Sequence, residues 1–109
     1  MSHLTTHVLD AGTGEPATGL RLALTDSHGQ RIDDADTDDD GRADLGPNLL
    51  PSGTYTLTFD TGTYFAEREV ETFYPSVAVT FVVTPEGAGR HYHVPLLLSP
   101  FAYSTYRGS

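Results

Sequence analysis

Apolar and polar residues alternate along much of the chain with a period of two, which is typical of half-buried β-strands. The alternation is clearest over residues 53–60, where Tyr55, Leu57 and Phe59 would share one face and threonines the other. Residues 76–84 repeat the pattern, with mostly β-branched residues on one face. Both segments are therefore predicted to be strands that pack one face against a core.

Four further segments carry a weaker form of this signal and are separated by turns rich in glycine and proline, at intervals of about eight to twelve residues. These segments are 4–9, 20–25, 90–98 and 102–107. Because Pro95 cannot donate a ladder hydrogen bond, we expect it at a sheet edge or a bulge. Together the short strands predict an all-β sandwich or barrel of about seven or eight strands.

Two segments do not follow the alternation. Residues 65–72 contain helix-forming residues and are compatible with about two turns of helix or with a continued strand. Asp33 to Asp44 is predicted to be an acidic loop, and the segment that begins at Asp36 fits the opening of a calcium-binding EF-hand loop. The twelfth position counted from Asp36 should be glutamate, but it is Pro47. We therefore expect a solvated turn in which aspartates bond their own backbone, and the sequence leaves open whether it binds a cation.

Length and composition narrow the range of functions. The chain has 109 residues, enough for a single domain over 1–109, and no cysteine, which excludes thiol nucleophiles and cysteine-ligated metal sites. No lysine, 6 arginines and 15 acidic residues give a net charge of −9, which disfavours nucleic-acid and anionic-membrane partners. No apolar stretch reaches the roughly 20 residues of a membrane span and no secretory signal is visible, so a cytoplasmic location is expected.

Histidines are the candidate chemical groups. His7 lies in the first predicted strand, while His91 and His93 are two residues apart and would point to the same side of theirs. Two histidines so spaced can bind zinc with a third ligand, and the alternative is a pair of partly buried rings that are hydrogen-bonded to the backbone. His3 and His28 are expected at the surface.

Six short segments carry a set of motifs: Leu4–Asp10, Thr37–Arg42, Tyr64–Phe65, Phe73–Pro75, His91–Pro100 and Tyr103–Ser109. This set resembles the motifs of the transthyretin-related 5-hydroxyisourate hydrolases over essentially the whole chain. The terminal Tyr-Arg-Gly-Ser is the most specific part of the resemblance. Transthyretin hormone carriers share the fold of these hydrolases but lack the histidines and this ending.

The resemblance implies an all-β, prealbumin-like sandwich with one short helix. It also implies a homotetramer, built as a dimer of dimers, with sites at the subunit interface. The implied reaction is hydrolysis of a ring amide in 5-hydroxyisourate, the unstable product of urate oxidation, to 2-oxo-4-hydroxy-4-carboxy-5-ureidoimidazoline. No metal or cofactor is required for this chemistry.

On the family's pattern, His7, Arg42 and His93 converge as the catalytic group, and Tyr106 binds substrate together with His7 and Arg42. A histidine is suited to deprotonating water at neutral pH. An arginine fork is suited to an oxyanion and to holding an anionic ring in plane. The sequence does not decide which of the two histidines is the general base.

Four residues are expected in secondary roles. Ser104 would share a strand face with Tyr106 and could bond the substrate or a histidine, and His91 could support the site from behind. Arg107 and the carboxylate of Ser109 are expected to lock the C-terminal tail, within the chain or across the interface. Two other classes stay open: a non-catalytic transthyretin-like carrier, and a prealbumin-like binding or structural module.

Overall fold

The computed structural model describes residues 3–87 and 90–108. In this part of the chain nine strands form two sheets, and one short helix follows the sixth strand. The strands are β1 Leu4–Asp10, β2 Glu15–Pro16, β3 Arg21–Thr25, β4 Arg31–Asp36, β5 Arg42–Leu45, β6 Gly53–Phe59, β7 Val77–Val83, β8 Tyr92–Ser99 and β9 Ala102–Thr105, and the helix is α1 Thr61–Ala66.

The two sheets enclose one apolar core. In the five-stranded sheet, β1 pairs with β5 and β2 on one side and with β8 on the other, and β9 follows β8. The four-stranded sheet has the order β4-β3-β6-β7. The β1–β8 pair is parallel. Side chains from both sheets are fully buried in the core, including Leu4, Leu22, Leu57, Phe59 and Leu96.

The predicted all-β sandwich is confirmed, and the six strands predicted from alternation are present with bounds that differ by about two residues at most. The structure has nine strands, more than the seven or eight expected. The segments that were not predicted as strands are β2, β4 and β5. The pattern missed β2 because a two-residue bridge is too short to show a period.

The prediction of a continuous acidic loop from Asp33 to Asp44 is wrong, because β4 and β5 occupy most of it. Within the described residues β4 is an edge strand that pairs with β3, and every one of its side chains is exposed or half-buried. Aspartate is depleted in strands, so the segment reads as a loop. Charge on an edge strand also opposes pairing with other chains, which explains why such a strand tolerates it.

The turn between β4 and β5 is closed by Asp38. Its Oδ1 accepts hydrogen bonds from the backbone N–H groups of Asp40 (2.9 Å) and Arg42 (3.0 Å). These bonds, chiefly the one from Arg42, hold the pKa of the Asp38 carboxyl below its ordinary value. The predicted turn with self-bonded aspartate is therefore confirmed, and it fixes the backbone from which Arg42 projects.

Alanine at Gly41 is expected to destabilise the fold more than alanine at another left-handed glycine. Gly41 has φ +77°, and a Cβ there would lie 2.5 Å from the carbonyl oxygen of Val8. A side chain in the left-handed region costs roughly 1–2 kcal/mol, and the backbone clash adds to that. Gly14 is the matched control, because its φ is +80° and no heavy atom lies within 4 Å of the Cβ position.

Chemical denaturation of Gly41→Ala and Gly14→Ala measures this difference directly. The free energy of unfolding should fall further for Gly41→Ala, since only that variant brings a Cβ against the carbonyl oxygen of Val8. Equal losses in the two variants would show that the turn does not press on β1.

The helix is also displaced from its predicted place. α1 begins after Asp60, whose side chain accepts from the backbone N–H of Thr63 (3.3 Å), and it ends at Ala66, so residues 67–72 are neither helix nor strand. The N-cap, rather than the helix-forming residues downstream, sets where the helix starts. Within the described part of the chain, no helix has the length and apolar character needed to cross a membrane.

Pro95 does not lie on an edge strand, because β1 and β9 flank β8 on its two sides. The expectation of a sheet edge is wrong, and the pairing of β8 with β9 breaks at this residue. The pairs Leu96–Thr105 and His93–Gly108 keep one register on either side of the break. In between, the carbonyl oxygen of Pro95 accepts a hydrogen bond from the Thr105 hydroxyl (2.7 Å).

His3 is buried, contrary to the expectation of a surface residue. Its Nδ1 accepts from the backbone N–H of Leu50 (2.7 Å), and its ring meets that of Tyr92 edge-on. Burial and, second, the charge of His91 lower the pKa of His3. His3 is therefore a core histidine, whereas His28 is exposed as predicted.

Candidate active site

His7 projects from the outer face of the five-stranded sheet. Along β1 the residues Leu4, Thr6 and Val8 are buried, while Thr5 and His7 are half-buried. Because successive side chains of a strand point to opposite faces, the half-buried set points away from the core. The outward face of β1 thus presents a hydroxyl and an imidazole next to each other.

Arg42 is the cross-strand neighbour of His7. β5 runs antiparallel to β1, and the register pairs the Cα atom of Arg42 with that of His7. Ala43 and Leu45 are buried and Arg42 is exposed, so the guanidinium lies on the same outer face as His7. Directly opposite residues of an antiparallel pair have Cβ atoms about 4.5–5.5 Å apart. The Asp38 turn therefore delivers a cation next to the imidazole.

His93 approaches from the other side of β1. β8 runs parallel to β1, and the register pairs His93 with Thr5, one step along the outer face from His7. His93 is half-buried and its two neighbours in sequence are buried, so its ring also faces outward. Three adjacent strands, β5, β1 and β8, thus bring Arg42, His7 and His93 onto one face.

Thr5 links His93 of β8 to His91, which directly precedes that strand. Its Oγ1 lies 2.8 Å from Nε2 of His91 and 2.8 Å from Nδ1 of His93. The two rings are nearly parallel, with an interplanar angle of 18° and centroids 6.4 Å apart. No sequence motif gave Thr5 a role of its own, although its place two residues before His7 on the same strand face is a signal that it lies beside the candidate site.

The electrostatic surroundings keep His93 neutral. Burial lowers its pKa most, and the positive charge of Arg42 lowers it further, followed by those of His91 and His7. A histidine whose pKa is lowered below the ordinary value is largely unprotonated at neutral pH. His93 therefore offers either a lone pair or an N–H at its outward nitrogen, as a neutral imidazole does.

The guanidinium of Arg42 is free of ion pairs within the described residues. The ion pairs found there join Arg21 to Asp34 and Asp36, and Arg31 to Asp34. The arginine beside the histidines is therefore able to receive an anionic ligand without first losing a carboxylate partner. Its planar fork suits an oxyanion or a carboxylate-like group.

The zinc alternative for His91 and His93 requires a third ligand close by. In residues 3–87 and 90–108, no group of three or more histidine, aspartate or glutamate side chains is placed to hold a metal ion. One nitrogen of each ring is bonded to Thr5 instead.

The C-terminal segment packs along His93. The backbone N–H of Gly108 donates to the carbonyl oxygen of His93 (2.8 Å), and the guanidinium of Arg107 lies 4.6 Å from the centre of the Tyr92 ring. Ser109 lies outside the described residues, so the expected contact of its carboxylate stays a prediction. The end of the chain is thus attached to the same strand that carries the candidate histidine.

Tyr106 lies closer to the histidines than Ser104 does. By the register of β8 with the tail, Tyr106 falls opposite Pro95, two residues from His93, and it is 59% exposed. Ser104 pairs with Leu97, four residues beyond His93, which is about 13 Å along the strand. Of these two predicted substrate-binding residues, the register places Tyr106 nearer than Ser104 to the level of His93 along β8.

Alanine at Gly108 is expected to lower kcat for the hydrolysis that the sequence motifs imply, while leaving the core intact. A Cβ on Gly108 would lie 2.5 Å from Cδ2 of His93, so either the imidazole or the tail must move. Displacing a reacting group by about 1 Å can cost up to 10²-fold in rate, so we expect a loss of roughly 10–10²-fold. Gly29→Ala, at an open turn, is the control. Steady-state kinetics on both variants, with melting temperatures, tests this; unchanged kcat in Gly108→Ala would contradict it.

The arrangement can carry out acid–base chemistry on a small anionic substrate. Two imidazoles can take and return a proton near neutral pH, and the adjacent guanidinium can stabilise negative charge as it develops. The groups come from three paired strands, so their spacing is set by the sheet rather than by loops.

Comparison with known proteins gives the chain a family. The model of the HIUase/Transthyretin family matches residues 4–108. The 5-hydroxyisourate hydrolase of Mus musculus is 47% identical over 115 residues, covering 99% of this chain and 96% of the mouse protein. The structure of Klebsiella pneumoniae 5-hydroxyisourate hydrolase superposes with a TM-score of 0.88 at 38% identity, covering 97% of this chain and 98% of that one.

A transthyretin is similar in fold as well. Sea bream transthyretin in complex with thyroxine has a TM-score of 0.87 at 33% identity and covers 96% of this chain and 93% of its own. The resemblance found in the sequence motifs is confirmed by these matches, and so is the prealbumin-like fold that it implied. The chain belongs to the HIUase/Transthyretin family.

Proposed function

We propose that this protein is a hydrolase that opens a ring amide of 5-hydroxyisourate, in the degradation of urate. The observation that carries the proposal is the placement of His7, Arg42 and His93 on one face of three paired strands. Water adds its oxygen to the amide carbonyl carbon, the ring C–N bond breaks, and the departing nitrogen takes a proton. The reaction consumes one water and needs no oxidant or reductant.

His7 and His93 share the proton transfers in this proposal. One imidazole takes a proton from the attacking water, and the other orients the water or returns a proton to the leaving nitrogen. Arg42 holds the anionic ring and stabilises the oxyanion through its two-pronged hydrogen-bond geometry. The lowered pKa of His93 supports a neutral imidazole at the start of the reaction.

The C-terminal residues bind and support in this proposal. Tyr106 contacts the substrate from the tail, and Ser104 contributes at the margin of the site. Arg107 holds the tail through its cation–π contact with Tyr92. His91 supports His93, and the carboxylate of Ser109 completes the attachment of the tail.

A homotetramer, built as a dimer of dimers, completes the site. In a single chain the three groups lie on the open face of a sheet, whereas small-molecule sites are usually concave. The same face exposes the apolar side chain of Leu97, four residues beyond His93 on β8. A second copy that covers this face would exclude water and enclose the substrate.

The two edge strands β7 and β9 supply the other contact of the tetramer. Both are edges within the described residues, and they flank an apolar cleft of about 360 Å³ lined by Phe81, Val82, Tyr92 and the tail residues Tyr106 and Arg107. Unpaired edges of this kind favour pairing with another chain. Pairing there would bury the cleft and extend both sheets.

Turnover decides between this proposal and a carrier. The purified protein is added to freshly generated 5-hydroxyisourate, and the decay of its ultraviolet absorbance is compared with a buffer blank and with the His7→Ala/His93→Ala double variant. We expect acceleration by the wild type alone. Saturable binding without acceleration would instead support the transthyretin-like carrier. Sedimentation of the same sample reports whether the chain forms the tetramer.

A further inference from the structure

Thr5 makes two short polar contacts that the proposed reaction leaves unexplained. One hydroxyl oxygen lies 2.8 Å from a ring nitrogen of His91 and 2.8 Å from a ring nitrogen of His93. The register of β1 with β8 places Thr5 directly opposite His93, so the contact follows from the strand pairing and not from a mobile loop. Thr5 is half-buried, and its hydroxyl points into the outer face that carries the candidate site.

The single hydrogen of the Thr5 hydroxyl limits how its two contacts with the histidines can be made. A threonine hydroxyl has one hydrogen to donate and lone pairs to accept with. It can therefore donate to only one of the two imidazoles, and the other ring must present an N–H. If Thr5 donates to His91, then His93 carries its proton on Nδ1 and its Nε2 holds a free lone pair. If Thr5 donates to His93, the free Nε2 carries the hydrogen instead.

We propose that Thr5 is a positioning residue that fixes the ring of His93, selects the nitrogen that carries its proton, and joins it to His91 as one hydrogen-bonded unit. The first arrangement makes His93 a base toward water, and the second makes it a donor toward the leaving nitrogen. This inference rests on the proposed function for its effect on rate. The arrangement of protons in the free protein does not depend on any substrate.

The hydrogen-bonded unit also provides a route by which a proton, and with it the positive charge, can pass from His93 through Thr5 to His91. When Nε2 of His93 takes the proton of water, its Nδ1 proton can pass to the Thr5 oxygen while the hydroxyl proton passes to Nε2 of His91. His93 is then neutral again and His91 carries the positive charge, with no proton gained or lost. His91 is exposed to solvent and lies two residues before His93, which is farther from the level of His7 and Arg42. A cation there is better solvated and less repelled by the guanidinium.

The variant Thr5→Val removes the hydroxyl at nearly constant shape, and Thr5→Ser keeps it. We expect Thr5→Val to lower kcat by about 10–100-fold with a much smaller change in KM, the same range as the loss of an orienting partner costs at a metal-bound histidine. Thr5→Ser should recover most of the rate. Thr54→Val, at an exposed threonine of the other sheet, is the matched control and should behave as the wild type.

Nitrogen-15 NMR of the histidine rings provides the readout that a purely structural role would not move. In the wild type, the shifts of Nδ1 and Nε2 in His93 should report one dominant tautomer, and in Thr5→Val they should move toward a mixture. Thr5→Ala serves the same purpose if Thr5→Val does not fold. Unchanged His93 shifts together with unchanged kcat in a folded, hydroxyl-free variant would overturn the inference. If the wild type itself does not hydrolyse 5-hydroxyisourate, the proposed function fails, and the NMR comparison still decides the role of Thr5.

Discussion

Alanine in place of His7 or His93 is expected to lower kcat for 5-hydroxyisourate by roughly 10²–10⁴-fold, which is the usual contribution of a positioned acid or base. Both side chains lie on the outer face of their strands and neither belongs to the apolar core, so the fold should stay intact. Steady-state kinetics and circular dichroism on the two variants test this. His28→Ala, at an exposed turn, is the control and should turn over normally.

The pH profile separates the two histidines. Burial and the nearby charges lower the pKa of His93, so its neutral form persists to lower pH than that of an ordinary histidine. A base must be neutral to accept a proton, and kcat/KM therefore falls as pH drops through its pKa. If His93 is the base, the acid limb lies below the ordinary histidine value of about 6.5 and is lost in His93→Ala. Normal turnover in both single variants would refute the assignment altogether.

The alternation of apolar and polar residues predicted the strands that form the core, because burial of one face imposes that pattern. It failed where burial does not set the sequence. β4 is a charged edge strand with no buried side chain, and β2 is a two-residue bridge. The helix was misplaced because its start depends on one hydrogen bond that the Asp60 side chain accepts from Thr63, which composition does not reveal.

The motifs indicated which residues matter but not how they touch. Several serve the fold: Asp10 accepts from the Tyr64 hydroxyl (2.9 Å), and the Thr37 hydroxyl donates to the carbonyl oxygen of Ala17 (2.6 Å). The contact of Thr5 with two histidines depends on the parallel register of β1 and β8, which no local pattern encodes. The need for glycine at Gly108 appears only when the tail is seen to pack on the His93 ring.

Loss of the bidentate guanidinium of Arg42 is expected to have the second-largest effect on catalysis. Arg42→Gln should lower kcat/KM by about 10²–10³-fold, the usual cost of removing a donor that stabilises an oxyanion. Arg42→Lys keeps the charge but not the planar, two-pronged geometry, so it should recover only part of the loss. Arg31→Lys is the matched control, because that arginine lies on the other sheet and pairs with Asp34.

The relative activities of the two Arg42 variants show whether the guanidinium acts by its charge or by directed hydrogen bonds. If it acts only as a positive charge that attracts an anion, Arg42→Lys should approach the wild type, and both of these charged proteins should lose activity steeply with added salt, whereas Arg42→Gln should not. If it holds the ring and oxyanion by directed hydrogen bonds, Arg42→Lys should stay far below the wild type at every ionic strength. Because Arg42 has no ion pair among the described residues, neither variant leaves a carboxylate without its partner. Arg42→Gln also removes a charge that lowers the pKa of His93, so the variants are compared at a pH well above about 6.5, where an ordinary histidine is neutral. Full activity in Arg42→Gln would remove the guanidinium from the mechanism.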